Sequence, residues 1–341
     1  MWKVKNKINK IYLAKFEEKI IIPIFEIIKE ITNEIKIGNI ILPAKNKELW
    51  KKTKVFRNLN ADMKTLYIYI MKTIKEGRSV EEIIYLISSK YDSKYIKSIY
   101  ELYSSQNRKI NEGDYNIQES NLCGLFRGLF VDFYYTKFFI DNKIWMAING
   151  GGYNRKSFHE NFRRDNNNLA VCPYCDIDTT VSVSNNNIEH FLPKSKFPLL
   201  AMNPLNLISS CIACNKSQEG KGDRISPFPI ITPYSEQISN AAEFKPDFFS
   251  RKITLINKGE DAHNNYFNLL QLYSRYSEGF IFECINDDAN SLFNTISQYS
   301  NPSIFAIDQY ILERSGKKNL SLALKSVIKT YPRYKLFKGG R

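Results

Sequence analysis

Two short spacings constrain this chain more than anything else in it: "CPYC" (Cys172, Cys175) and "CIAC" (Cys211, Cys214), with 35 residues between them. What such pairs do depends on whether their thiols are reduced. The start, "MWKVKNKINK", is charged but has no apolar run behind it, so it does not read as a secretory leader. The most apolar run, Ile20 to Ile28, is broken by Pro23 and Glu26 and falls short of the ~20 residues that a bilayer span needs. A cytoplasmic chain with reduced thiols and no membrane partner is therefore expected. Two reduced knuckles supply the four thiolates of a tetrahedral structural zinc site. Such a closed set leaves no open coordination position, so the Zn2+ would be a staple. Unrelated buried cysteines and a redox Cys-x-x-Cys are the competing readings. Cys123 and Cys284 stand alone in apolar surroundings and are expected to be buried packing residues.

With 341 residues of which 43% are hydrophobic, the chain has enough apolar material for more than one core and does not read as disordered. From Ile8 to about Gly150, apolar residues recur at three- and four-residue spacing, as in "DMKTLYIYIMKTIKEG" and "DSKYIKSIYELYSS". Ser79-Val80-Glu81-Glu82 fits a capping box that opens a helix, with a joint to the next helix near Tyr91-Asp92. "NLCGLFRGLFVDFYYTKFF" is too rich in large apolar residues for a solvent-facing helix and is expected to pack at a domain boundary. "INGGGYNRKS" reads as a linker or hinge. Short β-like runs, prolines and the cysteine pairs follow. From about Glu236 helical periodicity returns, interrupted by one strand candidate, "KITLI". These shifts divide the chain into a helical domain over 1–150, a linker over 151–165, a cysteine-bearing domain over 166–235 and a mostly helical region with a basic tail over 236–341.

The formal net charge is +14. It is uneven: Met1 to Asn60 holds 14 Lys or Arg against 6 Glu, and Lys317 to Arg341 holds eight cations and no acid. Such a surplus suits a polyanionic partner, because each phosphate neutralised releases condensed counterions. Solvated charge faces are the plain alternative, and a basic helix at a membrane surface is a third.

The segment between and just after the knuckles carries the chemistry. In order it holds Glu189-His190, Asn206 in "NPLNLISSC", and Asn215 directly after the last cysteine. An imidazole takes a proton from water near neutral pH. A carboxylate and an amide oxygen are hard donors suited to Mg2+ or Mn2+. A base, a divalent ion and a group that orients the imidazole are what cleavage of a phosphodiester requires. Each residue also has a structural reading: His190 as an ordinary strand-end histidine, Asn206 as a turn residue, Asn215 as a helix N-cap. His159 and His263 have no partner motif and read as surface or packing residues. Arg155, Lys156, Arg163 and Arg164 near His159 form a candidate DNA-backbone patch.

At these residues the sequence resembles the HNH nuclease family, the ββα-metal fold, in its zinc-stapled form. The resemblance runs from about Val171 to Asp223 and rests on the order Cys-x-x-Cys, acid-His, Asn-Leu, Cys-x-x-Cys-Asn. The wording "HFLPKS" and "NPLNLISSCIACN" looks like bacterial HNH proteins, several of which serve in anti-phage defence beside an ATPase partner. The resemblance implies that His190 is the general base, that Glu189 and Asn215 hold the catalytic Mg2+ or Mn2+, and that Asn206 fixes the strand and loop orienting the imidazole. It departs from the family pattern in three places. Asn215 stands where the family often has His, Glu189 where Asp is more usual, and Gln218 where a lysine commonly stands. Lys216 or Lys221 would then supply a DNA-phosphate contact, with Lys194 and Lys196 of "LPKSKFP" as further candidates. Such a fold usually enters the minor groove and cuts one strand, so double-strand cleavage would need a second copy, a homo-oligomer.

The expected architecture is thus mainly α with a small α+β core: a ββα-metal (HNH) zinc-stapled nuclease domain flanked by N- and C-terminal helical regions. The expected activity is metal-dependent hydrolysis of DNA, as an effector in bacterial anti-phage defence with an ATPase or sensor partner. A non-catalytic zinc-stabilised module that binds nucleic acid or a protein partner is the alternative.

Overall fold

A computed structural model of the chain describes every residue except 38–47, 121, 150, 183–185, 217, 300–302 and 339–341. Gly150 of the expected linker, Asn185 just ahead of the acid–histidine strand and Arg341 of the basic tail lie outside the described residues. Helices dominate. The strands form two-stranded sheets: β1 (Ile74–Lys75) with β2 (Arg78–Ser79), β3 (Asn186–His190) with β4 (Leu207–Cys211), and β5 (Ala242–Asp247) with β6 (Lys252–Asn257). Among the described residues no helix is long and apolar enough to cross a membrane. Contacts gather the chain into two compact units built from discontinuous segments. One, the helical unit, comprises Asn6–Asn161 and His190–Leu207; the other, the cysteine unit, comprises Met1–Lys5, Phe162–Glu189 and Ile208–Arg341.

In the helical unit, a helix over Lys7–Phe16 passes through a π-helical turn, Glu17–Ile21, into Ile22–Lys36. The latter buries Ile24, Ile27, Ile28 and Ile31 at helical spacing. The helix over Ala61–Lys72 is capped by Asn60, which accepts from Met63 N at 2.9 Å. The helical period expected to run on past Lys72 stops there, because Thr73–Ser79 doubles back as β1–β2 around Gly77 at φ +77°. Ser79 then forms the expected capping box: its Oγ accepts from Glu82 N (3.2 Å) and Glu82 Oε2 accepts from Ser79 N (2.9 Å), opening the helix over Val80–Lys90. Asp92 caps the next helix, Ser93–Asn111. The aromatic-rich segment is helical over Gly124–Ile140, largely as a π-helix, and supplies core residues of this unit. Phe126 and Phe130 both meet Phe25, with ring centroids 5.9 Å apart in each pair. Burying a side chain of this size contributes about 1.5–3 kcal/mol.

Within the linker expected over 151–165, Arg155–Asp165 is a helix. The linker's glycines suggest a hinge, but Asn154 Oδ1 accepts from Ser157 N (3.0 Å), and Phe158 and Phe162 bury at i,i+4 spacing behind that cap.

In the cysteine unit, β4 runs straight into one helical turn, Ile212–Asn215. The expected strand at Lys252–Ile256 is found within β6, paired antiparallel from Ala242↔Asn257 to Asp247↔Lys252. Helices Asp261–Leu269, Leu272–Tyr276, Gly279–Ser297 and Ile304–Arg314 follow, as the periodicity predicts. Cys123 and Cys284 are half-buried rather than fully buried.

His263 caps its own helix, accepting at Nδ1 from Glu260 N (3.2 Å) and meeting Glu236 Oε1 through Nε2 at 2.5 Å. His159 is different. It is buried, and burial first and the charge of Arg155 second push its pKa down from 6.5 to about 4. Between these values the unfolded histidine takes a proton that the folded one refuses. The stability contributed by neutral His159 is therefore complete above pH 6.5 and is lost as pH falls toward 4. The loss is at most roughly 3 kcal/mol. Denaturant titrations at pH 7 and pH 4.5 should show His159→Gln losing less stability on acidification than the parent; equal losses would contradict this account.

Candidate metal centre and its surroundings

The first knuckle is shaped by a short hairpin. Val171 bridges Thr179, Thr180 N donates to Ala170 O, and Cys172 N donates to Asp178 O, both at 2.8 Å. Inside it the chain turns back on itself, with Asp176 N donating to Cys172 O (2.9 Å) and Asp176 in the left-handed region at φ +62°. The second knuckle is the end of β4 and the helical turn after it. Together they bring Cys172, Cys175, Cys211 and Cys214 into one buried cluster whose sulfurs all lie within 4.8 Å of one another.

Its dimensions match a tetrahedral thiolate site. Bonds of about 2.3 Å to a central zinc would set the sulfurs about 3.8 Å apart. Cys172 and Cys214 are 3.8 Å apart and Cys175 and Cys211 3.9 Å apart, far beyond any disulfide. Backbone N–H groups point at the sulfurs: Ile177 N at Cys175, Cys211 N at Cys172 and Cys214 N at Cys211, each at 3.4 Å. Burial alone would raise the Cys175 thiol, but hydrogen bonds with the other three cysteines and the charge of Arg275 hold it well below the usual thiol range. Cys211, through its hydrogen bonds with Cys172 and the other thiols, and Cys214, through burial, are pushed up. Four buried thiols this close cannot all ionise by themselves. A soft divalent cation removes that conflict, and the four residues form a site that can hold Zn2+.

The shell around the thiols comes from a part of the sequence with no motif. Arg275 donates to Cys214 Sγ (3.1 Å), to Cys175 Sγ (3.6 Å) and to Asp178 Oδ2 (3.3 Å). Tyr276 Oη donates to Cys175 O (2.7 Å). Asp176 accepts from Trp2 Nε1 (2.8 Å) and Leu322 N (2.9 Å). Such outer partners orient the first-shell ligands and tune the metal. Helical periodicity marks Arg275 only as one more cation in "LYSRY", so sequence reasoning missed it.

Glu189, the last residue of the cysteine unit before the chain leaves it, is 7% exposed at its side chain and pairs with Lys221, 0% exposed, at 2.7 Å. The return loop explains how Lys221 gets there. Gly220 N donates to Lys216 O and Lys221 N to Cys214 O, both at 2.8 Å. A Cβ on Gly220 would stand 2.3 Å from Ala213 O, so only glycine fits that approach. Lys221 was expected to meet a DNA phosphate. A fully buried ammonium matched to Glu189 suits holding that carboxylate instead. Asn215 is half-buried at the end of its helical turn, and Lys216 is exposed.

His190, Asn206, Lys194 and Lys196 belong to the helical unit. Asn206 is fully buried and its amide binds the backbone of Leu192 both ways, accepting from N (2.7 Å) and donating to O (3.0 Å). It also donates to Leu200 O (3.3 Å), and its own carbonyl accepts from Phe191 N (2.8 Å). One side chain thereby closes the loop that carries Ala201, whose carbonyl meets His190 Nε2 at 3.0 Å. A carbonyl only accepts, so that bond places the proton of neutral His190 on Nε2 and the lone pair on Nδ1. The edge-on ring of Tyr135 braces the imidazole, with centroids 4.4 Å apart. Lys194 and Lys196 are half-buried, and Lys196 pairs with Glu119 at 3.1 Å.

Metal analysis of purified protein should find about one zinc per chain. Cys172→Ser should lose it and unfold the cysteine unit, read as a lost cooperative transition. Arg275→Met should keep the zinc but release it faster to a chelator. Full zinc-independent folding of Cys172→Ser would refute the staple.

Over 69 residues the chain is 38% identical to the Septu protein PtuB of Bacillus thuringiensis, covering 20% of this chain and 26% of that protein. Over 151 residues it is 28% identical to protein ea31 of Escherichia phage lambda, covering 39% of this chain and 49% of that protein. The chain thus matches about half the length of one curated relative and about a quarter of the other. No family model and no solved structure matches it.

Proposed function

We propose that the chain is a zinc-stapled HNH-type endonuclease that hydrolyses DNA phosphodiester bonds. The observation that carries the reading is the hydrogen bond of His190 Nε2 to the Ala201 carbonyl, in a loop closed by Asn206. A general base must be held in one tautomer and one orientation, and this bond does so through a backbone atom. In the proposed reaction His190 Nδ1 takes a proton from water as the water oxygen attacks phosphorus, and the P–O bond to the leaving oxygen breaks. Asn206 acts through the loop, as a positioning residue. Glu189 and Asn215 are hard oxygen donors of the kind that hold Mg2+ or Mn2+, and Lys221 fixes the Glu189 carboxylate by its Oε1 contact. Because Lys221 already balances part of that charge, the ion would rely on substrate and water oxygens to complete its coordination. When bound, it supplies charge neutralisation at the phosphate and leaving oxygen.

The resemblance read from the sequence supports a role as a bacterial defence effector working beside an ATPase or sensor protein. Cleavage of both strands would call for a second copy of the chain. The buried Lys221–Glu189 pair favours one rival: a non-catalytic zinc module that binds nucleic acid or a partner, in which the acid is purely structural.

Supercoiled plasmid incubated with Mg2+ or Mn2+ separates the two. Nicking is expected, and His190→Ala should lower its rate about 100-fold or more while zinc content and unfolding midpoint stay unchanged. Equal cleavage by that variant would remove His190 from the base role, and DNA binding without nicking under either ion would favour the rival.

A further inference from the structure

Three elements of the helical unit converge beside His190, bringing two of the candidate phosphate cations onto one tyrosine ring that no motif marks. Tyr135, from the π-helical stretch, is 4% exposed and lies against the imidazole. The guanidinium of Arg155 sits over the same tyrosine ring at 5.3 Å from its centroid, and the ammonium of Lys194 at 5.4 Å. Arg155 is exposed and Lys194 half-buried.

The cations next to them in sequence are matched differently. Lys156 pairs with Glu160 at 3.9 Å and Lys196 with Glu119 at 3.1 Å. Among the described residues, neither Arg155 nor Lys194 has a carboxylate partner. An aromatic face holds an exposed cation only weakly, whereas a guanidinium or ammonium meeting a phosphate oxygen makes a charge-assisted hydrogen bond. Two like charges gathered on one ring also repel, and an anion between them turns that repulsion into attraction.

We propose that Arg155 and Lys194, gathered on Tyr135 beside His190, form a subsite for a phosphodiester group of the nucleic-acid backbone. The assignment to substrate binding rests on the nuclease reading above, and Tyr135 is the ring that meets His190 and both cations. Arg155 would receive an oxygen through its planar fork and Lys194 through a point charge.

The test uses the full chain with its zinc and no added divalent ion, so that no strand is cut. Binding to a 30-base-pair DNA duplex and to an RNA duplex of the same sequence is followed by fluorescence anisotropy from 50 to 300 mM salt. Arg155→Gln and Lys194→Gln should each weaken binding several-fold, and the double variant at least tenfold. The slope of log affinity against log salt should fall by about 0.9 for each DNA phosphate left unneutralised. Arg155→Lys and Lys194→Arg, which keep the charge, should retain most of the affinity. Lys97→Gln, which removes a cation 75% exposed at its side chain on the same unit, should change neither affinity nor slope. Weaker binding of the DNA duplex, the RNA duplex or both supports the subsite, and the pattern names the source of the phosphate. Unchanged affinity and slope on both in the double variant, or no binding by the parent chain, overturns it. Plasmid nicking keeps the two readings apart. A parent chain that never nicks, with cation-dependent binding, removes the nuclease and leaves the subsite. Intact nicking with unchanged binding in the double variant does the reverse.

Discussion

Four sulfurs drawn within 4.8 Å of one another are the constraint on which the rest of the cysteine unit depends. They tie positions 172–175 to positions 211–214 and so close a loop of 35 residues that carries both strands of the central hairpin. Without a cation such a cluster is an electrostatic conflict; with one, the binding free energy becomes folding free energy. The surrounding polar contacts are arranged for that state. Backbone N–H groups aim at three of the sulfurs, and Arg275 places a guanidinium against two. Tyr276 and Leu320 donate to carbonyls of the first knuckle, so the C-terminal helices are fastened to the staple by hydrogen bonds as well as by packing.

The Lys221–Glu189 pair shows a second kind of economy. Burying two charges costs several kcal/mol per ion, and replacing such a pair with apolar residues is often neutral or stabilising. A pair retained at 0% and 7% side-chain exposure is therefore better explained by what it positions than by what it stabilises. Its location supports that view. Lys221 reaches Glu189 only because Gly220 lets the return loop press onto the carbonyls of Ala213 and Cys214. The carboxylate is thus indexed to the second knuckle through a backbone contact that no side chain larger than hydrogen would permit.

Some of this was legible in the sequence, and the reason is spacing. The cysteine pairs, the capping box at Ser79 and the helical runs are local patterns whose physics operates over three or four residues. Asn206 stood out in the sequence for its place before Leu207, but that its amide bonds both backbone groups of Leu192 did not. What stayed hidden was long-range. Arg275 lies 61 positions beyond Cys214, and nothing in "LYSRY" marks it as a thiolate partner. Tyr135 looked like one more aromatic in an apolar run, and Arg155, read as one of a patch of cations, carried no sign that it would lie over that ring. The discontinuous units were hidden for the same reason: residues 190–207 join a core whose other members end at Asn161.

That discontinuity bears on how an acid and an imidazole joined by one peptide bond can be controlled. Glu189 is held by Lys221, which the second knuckle and its return loop deliver. His190 meets the Ala201 carbonyl and the ring of Tyr135, in a loop that Asn206 closes. One network holds Glu189 through Lys221 and the second knuckle, and another holds His190 through the Asn206 loop. Chemistry that needs both groups would need both networks intact, whereas a purely structural zinc module would need only the first.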